Sequence, residues 1–569
     1  MTPGRFGSAP TAPWWRWLWL WPPVAVGVFL RLFRLPSQLL LADELHAPRA
    51  ALRWDMETIL TTYLPSDHSM PLTGLLELLM ENGVAVSEIH LRLPILVAAM
   101  IALVVIPVAL ARRLGTGVGV WSAWLVAVSP GMVLYGRLAR SYMPMILLAF
   151  LAAVAFERWW RTRRPAAAVA YAGFGAAAVW FHLGAAPFVA APLLWGGAAA
   201  LLRPSRWRDL LALSAVGLGL AAGWAAFLVP ARESFLELFG DKAGYEPPGA
   251  GAVVEIFMLQ AGATEVWAAA LFWGLALLGL GVLARRRAAF ASYSLVLVLA
   301  SPAAVLVMQP LGWANPLVTN RYLLIGLPWV LVWVAVALAW LGGFAQRRWP
   351  AGRSQRRVAL RVLVPKLLAP LALALLVLGG PWTDSRVLYS SFLHDDSFIR
   401  FSRPAPELDV DVPAEDFYRR LGQAPGDGQV LEFTATPTWT QQTQLAAYQV
   451  LHRRRVLLAP HEVNLFGDFK PRNYVEPGGQ RFLASPARWL VIHRRTCWER
   501  DRMEPRLTCH PEPMRRVSRR VARRLGNHLA RQWGAADYQD TEIRAWDLDR
   551  VRSDRAGALP GSALPVPGM

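Results

Sequence analysis

Apolar runs of roughly 17–25 residues alternate with short polar connectors from Trp14 to Gly380, and each is the length of helix that crosses a bilayer core. The pattern predicts about eleven spans: Trp14 to Leu35, Arg92 to Ala111, Gly117 to Tyr135, Met143 to Phe156, Ala166 to Phe181, Gly184 to Leu202, Leu210 to Val229, Val266 to Leu283, Ala288 to Met308, Tyr322 to Phe344 and Val358 to Gly380. The first is read as an uncleaved span, because its apolar core is long and no small-residue cleavage site follows. Beyond Pro381 the runs shorten and polar residues dominate. Helix is expected over Ala414 to Leu421, Gln441 to Leu451 and the basic stretch Met514 to Leu525. Strands are expected over Gln429 to Phe433, Arg455 to Leu458, Trp489 to Ile492 and Glu542 to Leu548. Such alternation favours a small α/β domain with some parallel pairing. The expected fold is therefore a polytopic α-helical membrane domain over residues 1–381, a C-terminal periplasmic α/β domain over 382–550, and a disordered Gly/Pro/Ala/Ser-rich end over 551–569.

Composition agrees with that map: 55% of residues are hydrophobic, 17% are charged, and the mean hydropathy is +0.32. An ordinary soluble enzyme, a disordered chain and collagen are excluded. The net charge of +20 changes the picture only through its position. Arg112 and Arg113, Arg158 to Arg164, Arg203 to Arg208, Arg285 to Arg287 and Arg347 to Arg357 occupy alternate connectors, which the positive-inside rule makes cytoplasmic. The remaining connectors and the C-terminal domain then face outward, and the N-terminus faces in. Arg31 and Arg34, at the outer end of the first span, run against the trend. No nucleic-acid partner is implied, since the basic residues border spans. Cys497 and Cys509 both fall in the polar domain, where an oxidising compartment would permit the one bridge expected between them; two unpaired buried thiols are the alternative.

Candidate chemistry concentrates in the outward connectors. The first, Pro36 to Leu91, carries two amphipathic pieces too short to span, Pro48 to Leu60 and Pro71 to Met80, which would lie along the membrane surface and wall a cavity. Asp43 and Glu44 stand just beyond the first span; neighbouring, partly desolvated carboxylates raise one another's pKa toward that of a general base. A helix N-cap at Asp43 is the alternative. Ser129 to Pro144 compresses Tyr135, Arg137, Arg140 and Tyr142 between two spans, and the two arginines share a helical face fit to clamp phosphate or carboxylate. Snorkelling to headgroups is the alternative there. His68, His182, the Asp241–Lys242 pair and Arg321 with Tyr322 are further outer-face candidates. No His/Cys/carboxylate cluster has metal-ligand spacing and no Walker, GxSxG or HExxH motif occurs, so no cofactor is expected; the sequence does not specify a metal requirement.

The ordered series resembles the type C glycosyltransferases (GT-C), in particular the branch of protein O-mannosyltransferases and lipid A aminoarabinose transferases. It comprises a first span ending in Arg31, the Asp43–Glu44 pair, His68 and Pro71 opening an apolar helix, EIHLRLP from Glu88, SP...Y.R..R.Y from Ser129 to Tyr142, His182, and RYLL..LP from Arg321. Departures are Ser69 and Met70 inside what is usually HPP, and Leu138 where an acidic residue often separates the arginines. The resemblance implies a bacterial inner-membrane glycosyltransferase with an outward active site. Its donor would be a polyprenyl-phosphate-linked sugar and its acceptor a lipid, glycan or protein. Asp43 would activate the acceptor beside Glu44. Arg137, Arg140 and Arg321 would meet the lipid phosphate, with His68, His182, Tyr135, Tyr142 and Tyr322 around the substrate. A lipid-linked-glycan flippase and a non-catalytic subunit of an envelope-polysaccharide complex are the rival readings of the same residues.

Overall fold

The computed structural model describes residues 14–33, 35, 44, 46–51, 54–62, 69–82, 88–234, 247–310, 313–348, 355–383, 415–424, 428–433, 456–459, 483, 487–494, 512–540 and 543–557. It divides into two compact units. One holds Met1–Phe33, Ala50–Thr383 and Phe398–Pro404; the other holds Arg34–Arg49, Asp384–Ser397 and Ala405–Met569.

The first unit is a helical bundle. A 3-10 turn, Trp14–Leu20, leads into α1 (Trp21–Leu32), whose start is set by Pro22 and Pro23, residues that need no N–H in a first turn. Three short helices follow, α2 (His46–Ala51), α3 (Met56–Thr61) and α4 (Met70–Glu81). The expected piece Pro71 to Met80 falls within α4, whereas Pro48 to Leu60 is divided between α2 and α3, with Trp54 and Asp55 outside both helices. Next come α5 (Glu88–Leu114), α6 (Thr116–Val128), α7 (Pro130–Tyr135), α8 (Tyr142–Thr162), α9 (Pro165–Phe181), α10 (Ala186–Leu201) and α11 (Arg206–Leu228). The unit closes with α12 (Ala250–Ala261), α13 (Val266–Arg286), α14 (Ala288–Met308), α15 (Pro316–Leu323), α16 (Leu327–Arg348) and α17 (Gln355–Leu378).

Seven described stretches are long and apolar enough to cross a membrane: α5, α8, α10 with the turn before it, α11, α13, α14, and Pro316–Gly342 through α15 and α16. Shorter apolar helices accompany them, among them Trp17–Leu32, Thr116–Val128 and Pro165–Phe181. The chain is a multi-pass membrane protein. Two expectations need correction. The run Gly117 to Tyr135 is not one helix: Pro130 cannot donate to the ladder of α6, so the chain breaks at Ser129 and restarts as α7. The connector Pro230 to Glu265 contains α12, too short to register as a span.

The arginine connectors gather at one end of the bundle around two carboxylates. Glu157 pairs with Arg113 at 2.6 Å and Arg161 at 2.9 Å, and Asp209 takes Arg163 and, at 3.6 Å, Arg203. Arg287 donates to the Arg113 carbonyl at 2.6 Å, while Arg163 and Arg203 lie 4.4 and 4.8 Å from the Trp160 ring centroid. Connectors that sequence parity puts on one side therefore meet physically.

In the second unit, α18 (Glu415–Gln423) precedes a five-stranded sheet of β1 (Gln429–Phe433), β2 (Val456–Ala459), β3 (Ala487–His493), β4 (Tyr538–Gln539) and β5 (Ile543–Asp547) in the order β2-β1-β3-β5-β4. β1 runs parallel to β2 and β3, and β5 is antiparallel to β3 and β4. Helix α19 (Glu512–Trp533) lays Ala522, Leu525, Leu529 and Trp533 on Leu490, Ile492 and Trp546. The sequence-expected strands fall where the sheet has them, because alternating burial requires apolar residues there. The expected helix Gln441 to Leu451 and both Cys497 and Cys509 lie outside the described residues. Disorder expected from Val551 does not hold at its start: α20 (Leu548–Gly557) continues through it, anchored by buried Leu548 and Val551.

Candidate active site

At the end of the bundle opposite the arginine connectors, α1 and the α6–α7 corner exchange two guanidinium groups. Arg31 on α1, fully buried, donates from Nη1 to the carbonyls of Gly27 at 2.9 Å and Ala127 at 3.3 Å, and from Nη2 to those of Val126 at 3.0 Å and Met132 at 3.3 Å. Arg137, just past α7, donates in return to the carbonyls of Leu30 at 2.6 Å and Phe33 at 2.9 Å. Last-turn carbonyls have no partner within their own helix and carry the negative end of its dipole, so a planar, permanently charged fork suits them. Arg31, the exception to the charge rule, is thus a structural bond between elements. Arg137 is only 2% exposed and spends both terminal nitrogens on backbone.

The neighbouring turn carries the rest of the cluster. The rings of Tyr135 and Tyr142 meet edge to face, with centroids 5.1 Å apart; Arg140 places its guanidinium carbon 5.8 Å from the Tyr142 ring; and Tyr142 lies 5.3 Å from the His182 ring. His182 stands between α9 and α10, where its Nδ1 accepts the Gly184 N–H at 3.1 Å. In the neutral ring that assignment puts the proton on Nε2. A side chain at Gly184 would come within 3.9 Å of the Tyr322 ring, so that ring completes the group. Three segments, the α7–α8 turn, the α9–α10 turn and α15, thus converge. Tyr135, Arg140 and Tyr142 are buried, while His182, Arg321 and Tyr322 are half-buried. Asn315 caps α15 through the Leu317 N–H at 2.9 Å, and Gln260 of α12 bonds the Asn320 side chain at 2.6 Å, which fixes the helix carrying Arg321.

The first outward connector supplies the adjoining wall. Met70, opening α4, packs on Leu183 and Ala231. Ser69 and Thr73 are buried with no hydrogen-bond partner for their hydroxyls among the described residues. Asp55 caps α3 through the Thr58 N–H at 2.9 Å, and hydrogen bonds from the Thr58 side chain and from that N–H hold its carboxyl below the ordinary range. Glu77 is pushed up by partial burial and by the carboxylates of Glu81 and Asp55. Asp43 and His68, with Asp241 and Lys242, lie outside the described residues. Glu44 is fully buried, and its segment Arg34–Arg49 groups with the second unit.

Sequence reasoning noticed Arg31 and Ser69 without giving either a structural role, and passed over Thr73, the Gln260–Asn320 pair and Arg92, which is 1% exposed near the start of α5. A signal existed for the arginines: each interrupts an apolar run where a charge is expensive. Chemically, the cluster offers an arginine, an imidazole whose Nδ1 accepts a backbone N–H, and phenol groups. That set suits an anionic ligand and a polyhydroxyl group.

No family model matches the chain, and no curated protein matches it by sequence. Among solved structures, it is similar to ArnT from Cupriavidus metallidurans in the apo state, with 13% identity, a TM-score of 0.45 and coverage of 93% of this chain and 97% of that chain. For the same protein bound to undecaprenyl phosphate, identity is 12%, the TM-score 0.44 and the coverage 85% and 94%. The archaeal oligosaccharyltransferase AglB from Archaeoglobus fulgidus, in complex with an inhibitory peptide and a dolichol-phosphate, is similar at 11% identity and a TM-score of 0.41, over 84% of this chain and 69% of that chain.

Proposed function

We propose that this chain is a membrane glycosyltransferase that moves a sugar from a polyprenyl-phosphate donor to an acceptor hydroxyl or amine. The convergence of Arg140, Tyr142, His182 and Tyr322 from three segments carries the reading, and the ordered motif series supports it. Five arginine-bearing connectors face the cytoplasm and the cluster faces the periplasm of a bacterial inner membrane, as the positive-inside rule requires. The N-terminus is cytoplasmic and the α/β unit periplasmic.

In this reading the prenyl chain lies between helices and its phosphate meets Arg140 and Arg321. Arg137 holds the α7–α8 turn that presents Arg140, instead of touching the phosphate. Asp43, beside Glu44, takes the acceptor proton as the acceptor oxygen or nitrogen attacks the sugar carbon; the bond to the phosphate oxygen breaks, and the phosphate leaves with the electron pair. One displacement inverts the anomeric carbon. Cationic stabilisation of the departing phosphate in a low-dielectric site supplies the largest share of the rate. The acceptor is a lipid, glycan or protein.

The test is Asp43→Asn in the purified protein, with intact-mass analysis of the membrane acceptor pool. Loss of the mass increment with unchanged undecaprenyl-phosphate binding supports the assignment. Unchanged transfer removes Asp43 from the mechanism.

A further inference from the structure

The basic helix α19 takes no part in that chemistry. It carries three arginine pairs, Arg515-Arg516, Arg519-Arg520 and Arg523-Arg524, then Arg531, against a single acid, Glu512. Its apolar face, Ala522, Leu525, Leu529 and Trp533, is committed to the sheet. At roughly 100° per residue, positions 523, 524 and 531 fall on the half of the helix facing away from that contact. Arg523, Arg524 and Arg531 are exposed, and none of the three has a hydrogen bond or ion pair among the described residues.

Other arginines of the same domain are paired. Arg488 meets Asp547 at 3.3 Å, Arg550 meets Asp537 at 2.8 Å, and Arg552 meets Asp549 at 2.6 Å. Those acids are taken by Arg488, Arg550 and Arg552, and the exposed arginines of α19 share none of them among the described residues. Like charges four residues apart weaken a helix, so the stripe does not serve folding. It is a surface awaiting negative charge.

We propose that this stripe docks the C-terminal domain on anionic phospholipid headgroups of the membrane that the chain itself spans. Covalent connection favours that partner: the helix Gln355–Leu378 and the domain that starts with α18 at Glu415 belong to one chain, and this tether raises the effective concentration of the stripe near the bilayer. The large apolar residues of α19 that the structure describes face the sheet, so docking is electrostatic, without insertion, and salt weakens it. The inference goes beyond the glycosyltransferase reading and does not depend on it.

The test uses the full chain in nanodiscs of phosphatidylcholine, with or without phosphatidylglycerol, and follows hydrogen exchange over residues 512–533. Slower exchange is expected in the phosphatidylglycerol discs, reversed by molar salt. The effect should vanish in the variant carrying Arg523→Gln, Arg524→Gln and Arg531→Gln. Exchange in β3 monitors the fold, and the salt arm needs no variant. Equal exchange in both discs overturns the proposal. So does slowing that survives salt, or slowing that appears only when a soluble polyanion is added.

Discussion

Arg31 shows how one residue can look anomalous in a sequence and be required in the fold. Its guanidinium serves carbonyls from α1, α6 and α7, and charged hydrogen bonds of that kind contribute about 1.5–3 kcal/mol each. Arg31→Gln is expected to destabilise the bundle by at least about 3 kcal/mol, seen as a lower thermal midpoint in detergent by tryptophan fluorescence. Arg31→Lys should restore little, because a lysine cannot present a planar fork. An unchanged midpoint in either variant contradicts the bond. Charge counting along the sequence could not reveal this, since the acceptors are main-chain atoms nearly a hundred residues away. The cluster was more legible: Tyr135, Arg140, Tyr142, His182 and Tyr322 were each visible as polar residues at the end of an apolar run. Their mutual contacts, and the diversion of Arg137 to backbone, depend on helix breaks that composition does not encode.

At the scale of elements, close helix contact depends on particular glycines. A Cβ at Gly279 on α13 would lie 1.7 Å from the Trp333 carbonyl oxygen of α16, whereas one at Gly281 would meet nothing within 4 Å. Gly279→Ala must force the two helices apart, at a cost of about 1–3 kcal/mol or more, and Gly281→Ala should leave the midpoint unchanged. Equal effects of the two would contradict the crossing. The second unit has its own dependence: Glu432, fully buried, accepts from Tyr418 at 3.1 Å and pairs with His493 at 2.7 Å. Removing the shared acceptor breaks both contacts in a buried site, so Glu432→Ala should cost the domain about 1–3 kcal/mol and expose it to protease within the intact chain. Protease resistance equal to the parent would show the triad to be dispensable. Most helices and strands could be read from hydrophobic period alone, since burial requires that period. What escaped was α12, too short to be called a span, and α20, whose polar composition hides two buried anchors, Leu548 and Val551.

For the whole molecule, the gathering of basic connectors around Glu157 and Asp209 gives the topology a physical basis beyond a charge count. Thr162→Cys, at the arginine end, should resist a membrane-impermeant maleimide in intact cells, and Glu233→Cys, beyond the other end of α11, should react. The reverse pattern would invert the proposed orientation. The expected Cys497–Cys509 bridge implies little background labelling before reduction. The central claim is that the cluster around Arg140 receives a prenyl phosphate, and affinity for undecaprenyl phosphate tests it most directly. Arg140→Gln and Arg321→Gln should each weaken binding by about tenfold or more, equivalent to about 1.4 kcal/mol, while Arg531→Gln leaves it unchanged. Parental affinity in both cluster variants would contradict the account.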